Sequence, residues 1–329
     1  MMNTSQNMSQ NASSKRNLVF VGAYTLVFIA GLILNLISLV VFCRQSKSRS
    51  HTIVYMTNLA VADLLLVCTL PMRIYYHLGF SDLPQTLCEV LGLTLLVNMY
   101  GSIFLLTCIS VDRCMAVCFP MSARVKDWRK KAVLVCLCVW ILTIGASLPI
   151  YLFKKKKSNR GEHQCFGSAP VYATQRVAVA TTLTIGFSVP LASILTCSWF
   201  LIRAIGRSEA VQTGAVDSQK IRRMITVSLV IFLVCFLPYH LILGLLYASP
   251  DRRSPEDAEG PNFPPALVSA YQYSLVLACF NAMLDPLVYY FTTETFRNNT
   301  ININTIRRML PLQSHSSDSN HRSQVPLNS

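Results

Sequence analysis

The sequence predicts an all-α membrane protein, a seven-transmembrane helix bundle followed by a short amphipathic eighth helix. Seven apolar stretches, at 18–43, 53–78, 87–118, 132–153, 171–205, 221–248 and 265–291, each reach the roughly 20 residues that a helix needs to cross about 30 Å of hydrocarbon. The chain is 52% hydrophobic and 13% charged, about half the charge expected of a soluble domain. Lipid satisfies no free backbone N–H or C=O, so each stretch must be helical. Together they occupy most of the 329 residues. The division is a glycosylated head (1–17), the seven-span domain (18–291), and an amphipathic helix with a disordered tail (292–329).

The head carries three Asn-x-Ser/Thr acceptors, at Asn3, Asn7 and Asn11, which places it on the lumenal and hence extracellular side. Its polar residues leave the first span itself to direct insertion. Basic residues agree with that orientation. The segments 44–52, 113–131, 203–223 and 292–329 hold 18 of the 29 Lys and Arg, as the inner side of a multi-pass plasma-membrane protein should. The run Lys154–Lys157 lies on the outer side against that trend. It reads either as the stop of the fourth span or as a group that meets a ligand.

Polar residues inside the spans are costly and therefore informative. The first span offers Asn35, the second Asp63, the third Asn98 and Ser102, and the seventh Asn281 and Asp285. The last two pairs are each four apart and share a helix face. Asp63, Asn98, Ser102, Asn281 and Asp285 can converge on a sodium ion held by oxygen ligands, or they can make separate interhelical hydrogen bonds. No other cofactor is expected. Arg73 lies ten residues beyond Asp63, about 15 Å along the helix, near the outer mouth. There it can bind an anion, or snorkel and pair with Glu89. Cys88 and Cys165 both fall on the oxidising side. A bridge would close a 77-residue loop, worth roughly 4 kcal/mol in the chain-entropy model; the alternative is two free thiols. Pro71, Pro149, Pro190, Pro238 and Pro286 each remove a helical hydrogen bond and permit a kink. Asp112-Arg113 closes the third span with a charged pair at the hydrocarbon border, which points to a receptor. No nucleophile–base pair, internal repeat or continuous polar path suggests an enzyme or a transporter, and nothing calls for nucleic acid.

Asn35, Leu59-Ala-Val-Ala-Asp63, Asp112-Arg113-Cys114, Trp140, Pro190, Cys235-Phe236-Leu237-Pro238 and Asp285-Pro286-Leu-Val-Tyr289 resemble the motifs of rhodopsin-type (class A) G-protein-coupled receptors, in the same order and over about residues 18–310. The resemblance implies an extracellular agonist, a moving sixth helix and a cytoplasmic heterotrimeric G protein. It assigns coupling and activation to Asp112, Arg113, Phe232, Phe236, Pro238, Pro286 and Tyr289. The chain departs from the pattern at Cys114, at Phe236 in place of the usual Trp, and at Asp285 where Asn is more common.

Val97 to Arg113 and Leu70-Pro-Met-Arg-Ile-Tyr-Tyr76 resemble the purinergic-receptor-like branch, which holds nucleotide receptors and the non-Edg receptors for lysophosphatidic acid and lysophosphatidylinositol. Nucleotide receptors usually place a base three residues after a sixth-span His, but here His240 is followed by Leu243. A lysophospholipid, with one tail and one anionic phosphate, is therefore the expected agonist, with a nucleotide as the alternative. The expected ligand residues are Arg73, Tyr76, Tyr100, Lys154, Lys155, Lys156, Lys157, Arg176 and His240. Arginine forks suit phosphate oxygens and lysines add point charge. The basic loop with Arg124, Lys126, Arg129, Lys130 and Lys131 is expected to meet the G protein or anionic membrane lipids. The tail serines at 314, 316, 317 and 319 suit phosphorylation and arrestin recruitment.

Overall fold

The computed structural model describes residues 2–45, 51–80, 83–119, 122–158, 165–166, 170–205, 218–249 and 263–292; the side chains of 2–17, 45, 150–158, 171, 205, 218–221, 224 and 290–292 lie outside that description. The expected roles of Asn3, Asn7, Asn11 and Lys154–Lys157, the eighth helix and the tail fall outside the described residues.

Seven helices are long and apolar enough to cross a membrane: Leu18–Arg44, His51–His77, Gln85–Cys118, Ala132–Pro149, Arg176–Ala204, Ile225–Ala248 and Pro265–Tyr289. The first belongs to a helix that runs from Met2 to Gln45, and the fourth continues to Ser158. Among the described residues no strand occurs. The third span is the axis of the bundle and touches the second, fourth, fifth, sixth and seventh, while the first packs on the second and seventh. Helices in lipid gain little from hydrophobic transfer, so close packing and interhelical hydrogen bonds hold them. Gly31 shows the first device: a Cβ there would lie 2.9 Å from Val67 Cγ2, so only glycine lets the first and second spans approach this closely. Asn35 shows the second, its Nδ2 donating to the carbonyl of Ala282 at 2.7 Å and so tying the first span to the seventh. Large apolar side chains such as Ile29, Ile33, Leu137, Ile141 and Val230 point outward, as lipid demands.

Pro71, Pro149, Pro238 and Pro286 sit inside unbroken helices. The fifth span differs from expectation. Residues Val171–Thr174 form a separate 3-10 turn, the helix starts at Arg176, and Thr184–Ser188 make a π turn just before Pro190. Pro190 cannot donate to the carbonyl four residues back. A wider turn shifts the register so that the Val189 N–H bonds Thr184 O, and Ser188 Oγ donates to Leu183 O at 2.7 Å. Between the third and fourth spans lies a short helix, Ala123–Lys130, capped by Ser122, whose Oγ accepts from the Val125 N–H.

Candidate functional site

Arg73 lies inside one end of the bundle, near the end of the second helix. It faces inward from the second span and is only 2% exposed. Nη2 donates to the carbonyl of Leu91 at 2.8 Å, Nε has no hydrogen-bond partner, and the Phe166 ring covers the guanidinium at 4.5 Å. Tyr24, His77 and Tyr271 stand beside it. Among the described residues no carboxylate pairs with it. Glu89, the candidate partner read from the sequence, instead accepts from Gln85 Nε2 at 3.0 Å. A buried guanidinium without a counter-charge keeps much of its desolvation cost. An entering anion would relieve it.

Phe166 is held there by its neighbours. Cys165 is bridged to Cys88 at the start of the third span, with 5.3 Å between the two Cα atoms. Gln272 Nε2 donates to Phe166 O at 3.4 Å, and Tyr76 meets the ring edge-on at 5.1 Å. Deeper in, the phenols of Tyr172 and Tyr239 hydrogen-bond to each other, and Tyr239 packs on Tyr271 at 5.8 Å. Burial pushes the Tyr172 phenol above its ordinary range, so it stays a neutral donor. Tyr100 lies against Gly186 and the His240 ring, its hydroxyl buried and without a partner. His240 Nδ1 bonds Phe236 O at 2.7 Å, and its buried Nε2 is unpartnered. Arg176, by contrast, is exposed at the start of the fifth helix. Arg73, Tyr76, Tyr100 and His240 thus line one interior, whereas Arg176 faces outward.

An aromatic column leads down from this mouth. Phe187 stacks on His240 at 4.3 Å and on Phe232 at 5.5 Å, and Phe232 meets Phe236 edge-on at 5.5 Å. Beside it, Asn98 Nδ2 donates to Asp63 Oδ1 at 3.1 Å and Asn281 Nδ2 to Asp285 Oδ2 at 2.8 Å. The two carboxyls lie close enough to interact directly. Asp63 Oδ2, Asp285 Oδ1, Asn281 Oδ1 and Ser102 Oγ are buried without partners. These are hard oxygen donors around facing acids, a set that fits a sodium ion. Among the described residues no group of three or more His, Cys, Asp or Glu is placed to hold a metal.

At the opposite end, Asp112 makes its ion pair with Arg129. Arg129 Nε donates to Asp112 Oδ1 at 2.6 Å, Nη2 donates to Oδ2 at 3.2 Å, and the Thr52 hydroxyl donates to the same carboxylate. The carboxylate raises the Arg129 guanidinium above its ordinary value. Arg129 is therefore withdrawn from the basic loop surface in which the sequence placed it. Arg113 Nε is buried without a partner. Tyr289 is fully buried and meets Phe42 edge-on at 5.3 Å; Pro286 is buried and Pro238 half-buried.

Sequence reading missed Phe166, Tyr172, Tyr239, Tyr271 and Phe187. The available signal was Phe166 following Cys165, a pairing that fixes any neighbour of that Cys over the third span.

Residues 34–289 match the family described as "7 transmembrane receptor (rhodopsin family)". Lysophosphatidic acid receptor 4 of Homo sapiens is 38% identical over 283 residues, 84% of this chain and 75% of the relative. Lysophosphatidic acid receptor 6 of Mus musculus is 35% identical over 84% of this chain and 81% of its own length. A purinoceptor of Gallus gallus is 34% identical over 84% of this chain and 85% of its own. These relatives are receptors, not enzymes, and the family match runs from within the first span to the end of the seventh. The chain belongs to the rhodopsin family of seven-transmembrane receptors: it is a multi-pass membrane receptor whose partner is a G protein.

Proposed function

We propose that this receptor is switched on by a lysophospholipid of the lysophosphatidic acid type, whose phosphate binds Arg73 beneath Phe166. The observation that carries the reading is the buried guanidinium that no acid among the described residues pairs with, and that has one donor unused. Two relatives are named for lysophosphatidic acid, in keeping with that chemistry. The neutral phenols of Tyr172, Tyr239 and Tyr271 suit the ester and glycerol oxygens. The acyl chain would lie along the half-buried apolar faces below. Lys154–Lys157 serve as an outer collecting charge, and Arg176 acts at the rim. The head faces outside the cell, and the Arg113 end faces the G protein and, once phosphorylated, arrestin. Agonist binding shifts the His240–Phe187–Phe232–Phe236 column and the sixth span hinged at Pro238. Sodium held by Asp63, Asn98, Ser102, Asn281 and Asp285 favours the resting bundle.

The test is agonist potency at matched surface expression. A charge-assisted bond is worth about 1.5–3 kcal/mol, so Arg73→Ala should lose roughly ten- to a hundredfold. Arg73→Lys should recover part of it, since charge returns without the fork. An Arg73→Ala receptor that answers lysophospholipids like its parent would refute the assignment. Asp63→Asn should abolish any sodium dependence of agonist affinity; an unmodified receptor indifferent to sodium removes the basis for the ion.

A further inference from the structure

The short helix Ala123–Lys130 has two unlike faces. Ser122, Val125 and Arg129 turn inward, three and four residues apart, and Arg129 clamps the helix to Asp112. The outward side carries Arg124, Lys126, Lys130 and Lys131, all exposed, with Trp128 between them at 63% exposure. Its one acid, Asp127, is paired with Lys130 at 2.7 Å, so four cations face outward against one carboxylate. The Lys131 ammonium lies 5.7 Å from the Trp128 ring centroid. Chain geometry keeps this face near the bilayer, because the third span ends at Cys118 and the fourth starts at Ala132. An eight-residue helix is only about 12 Å long.

A second place repeats the arrangement. Near the same end of the fifth span, Trp199 is 54% exposed and the Arg203 guanidinium lies 5.1 Å from its ring. The remaining tryptophan, Trp140, is turned into the bundle and donates to Asn58 Oδ1 at 2.9 Å. So two of the three tryptophans stand at one rim, each with a cation over its ring. Indole settles at the headgroup level of a bilayer, and lysine or arginine beside it meets the phosphate.

We propose that the outward face of Ala123–Lys130, with Lys131, docks on anionic phospholipid headgroups of the leaflet at the Arg113 end, holding Arg129 on Asp112 from the membrane side. This rests on the reading that the Arg113 end faces the G protein and hence the cytoplasmic leaflet. The clamp to Asp112 gives the helix a fixed orientation, so its charge is presented as a surface.

The test uses the full receptor in nanodiscs, in a Trp199→Phe background, with a matched Trp128→Phe sample to isolate the Trp128 emission. Discs contain either brominated phosphatidylserine or brominated phosphatidylcholine at equal mole fraction. Brominated phosphatidylserine should quench Trp128 at least about threefold more strongly, given the attraction of each basic residue to an anionic surface. The difference should shrink with added salt and vanish in Lys126→Gln/Lys130→Gln/Lys131→Gln. Equal quenching by the two lipids overturns the proposal, since Trp128 would then be an aromatic anchor without headgroup recognition. Quenching by neither lipid, with shielding from aqueous acrylamide only when heterotrimeric G protein is added, overturns it too and gives the face to the transducer. The lipid comparison is made on the parent loop, so it stands even if the triple variant folds poorly. Failure of the lysophospholipid assignment would leave this result untouched, because no agonist is present.

Discussion

The two ends of the bundle treat an inward-turned arginine in opposite ways. At one end Arg73 has a carbonyl, an aromatic lid and, among the described residues, no acid. At the other, Asp112 is closed on three donors, two from Arg129 and one from Thr52. A closed pair is finished by the fold and contributes to holding it. An open guanidinium is finished only by something that arrives. The difference separates a structural charge from a recognition charge without reference to where either sits in a motif.

The contrast is sharpest if the charge at position 73 is reversed. Arg73→Glu should abolish the response to lysophospholipids, a larger loss than Arg73→Ala, because it adds repulsion to a missing bond. Yet Arg73→Met should leave the thermal midpoint of the agonist-free receptor unchanged or raised, since an uncompensated buried charge is replaced by a side chain of similar length. A marked fall in that midpoint would make Arg73 structural and erase the distinction. Arg129→Ala should do the reverse. It leaves Asp112 buried without its cation and should destabilise the agonist-free receptor by about 1–3 kcal/mol, less than a fully buried pair because Arg129 is 22% exposed. Asp112→Asn in the same chain should restore most of that loss, and a double variant as unstable as the sum would deny the pairing. Phe166→Ala should cost agonist potency several-fold, in line with about 0.5–2 kcal/mol for a cation–ring contact, with little change in stability. The smallest effect belongs to Asp127→Asn. Its pair with Lys130 is exposed on both sides, although Lys130 lowers the Asp127 carboxyl below its ordinary value. The melting curve should not move.

Hydropathy made the spans legible to within a few residues, because length and apolar content are properties of the chain itself. The interior of the fifth span was not, since a π turn answers a proline through a local choice of register that composition does not encode. Arg73 and the Asp63–Asp285 neighbourhood were legible because a charge inside hydrocarbon stands out against its own surroundings. Arg129 was hidden for the opposite reason. In a run of basic residues each looks like its neighbour, and only the phase of the short helix decides that Arg129, and not Lys130, reaches Asp112. Phe166 and the three tyrosines come from three segments far apart in the chain, with Phe166 and Tyr172 on one of them. Their meeting depends on how the spans pack, to which no single segment testifies.

The π turn at Thr184–Ser188 also bears on how this receptor tolerates changes in length. A residue added to a helix rotates the remainder of that helix by about 100°, and the wide turn absorbs one such residue between the outer part of the fifth span and the part that begins at Val189. Deleting a single residue there could restore a regular helix. Val179 and its neighbours would keep the face they now present to the bundle, as would Ile194 and Leu201, whereas the same deletion in a regular turn would rotate one group against the other. At this point the two halves of one span are indexed to each other by a count of residues more than by any side chain.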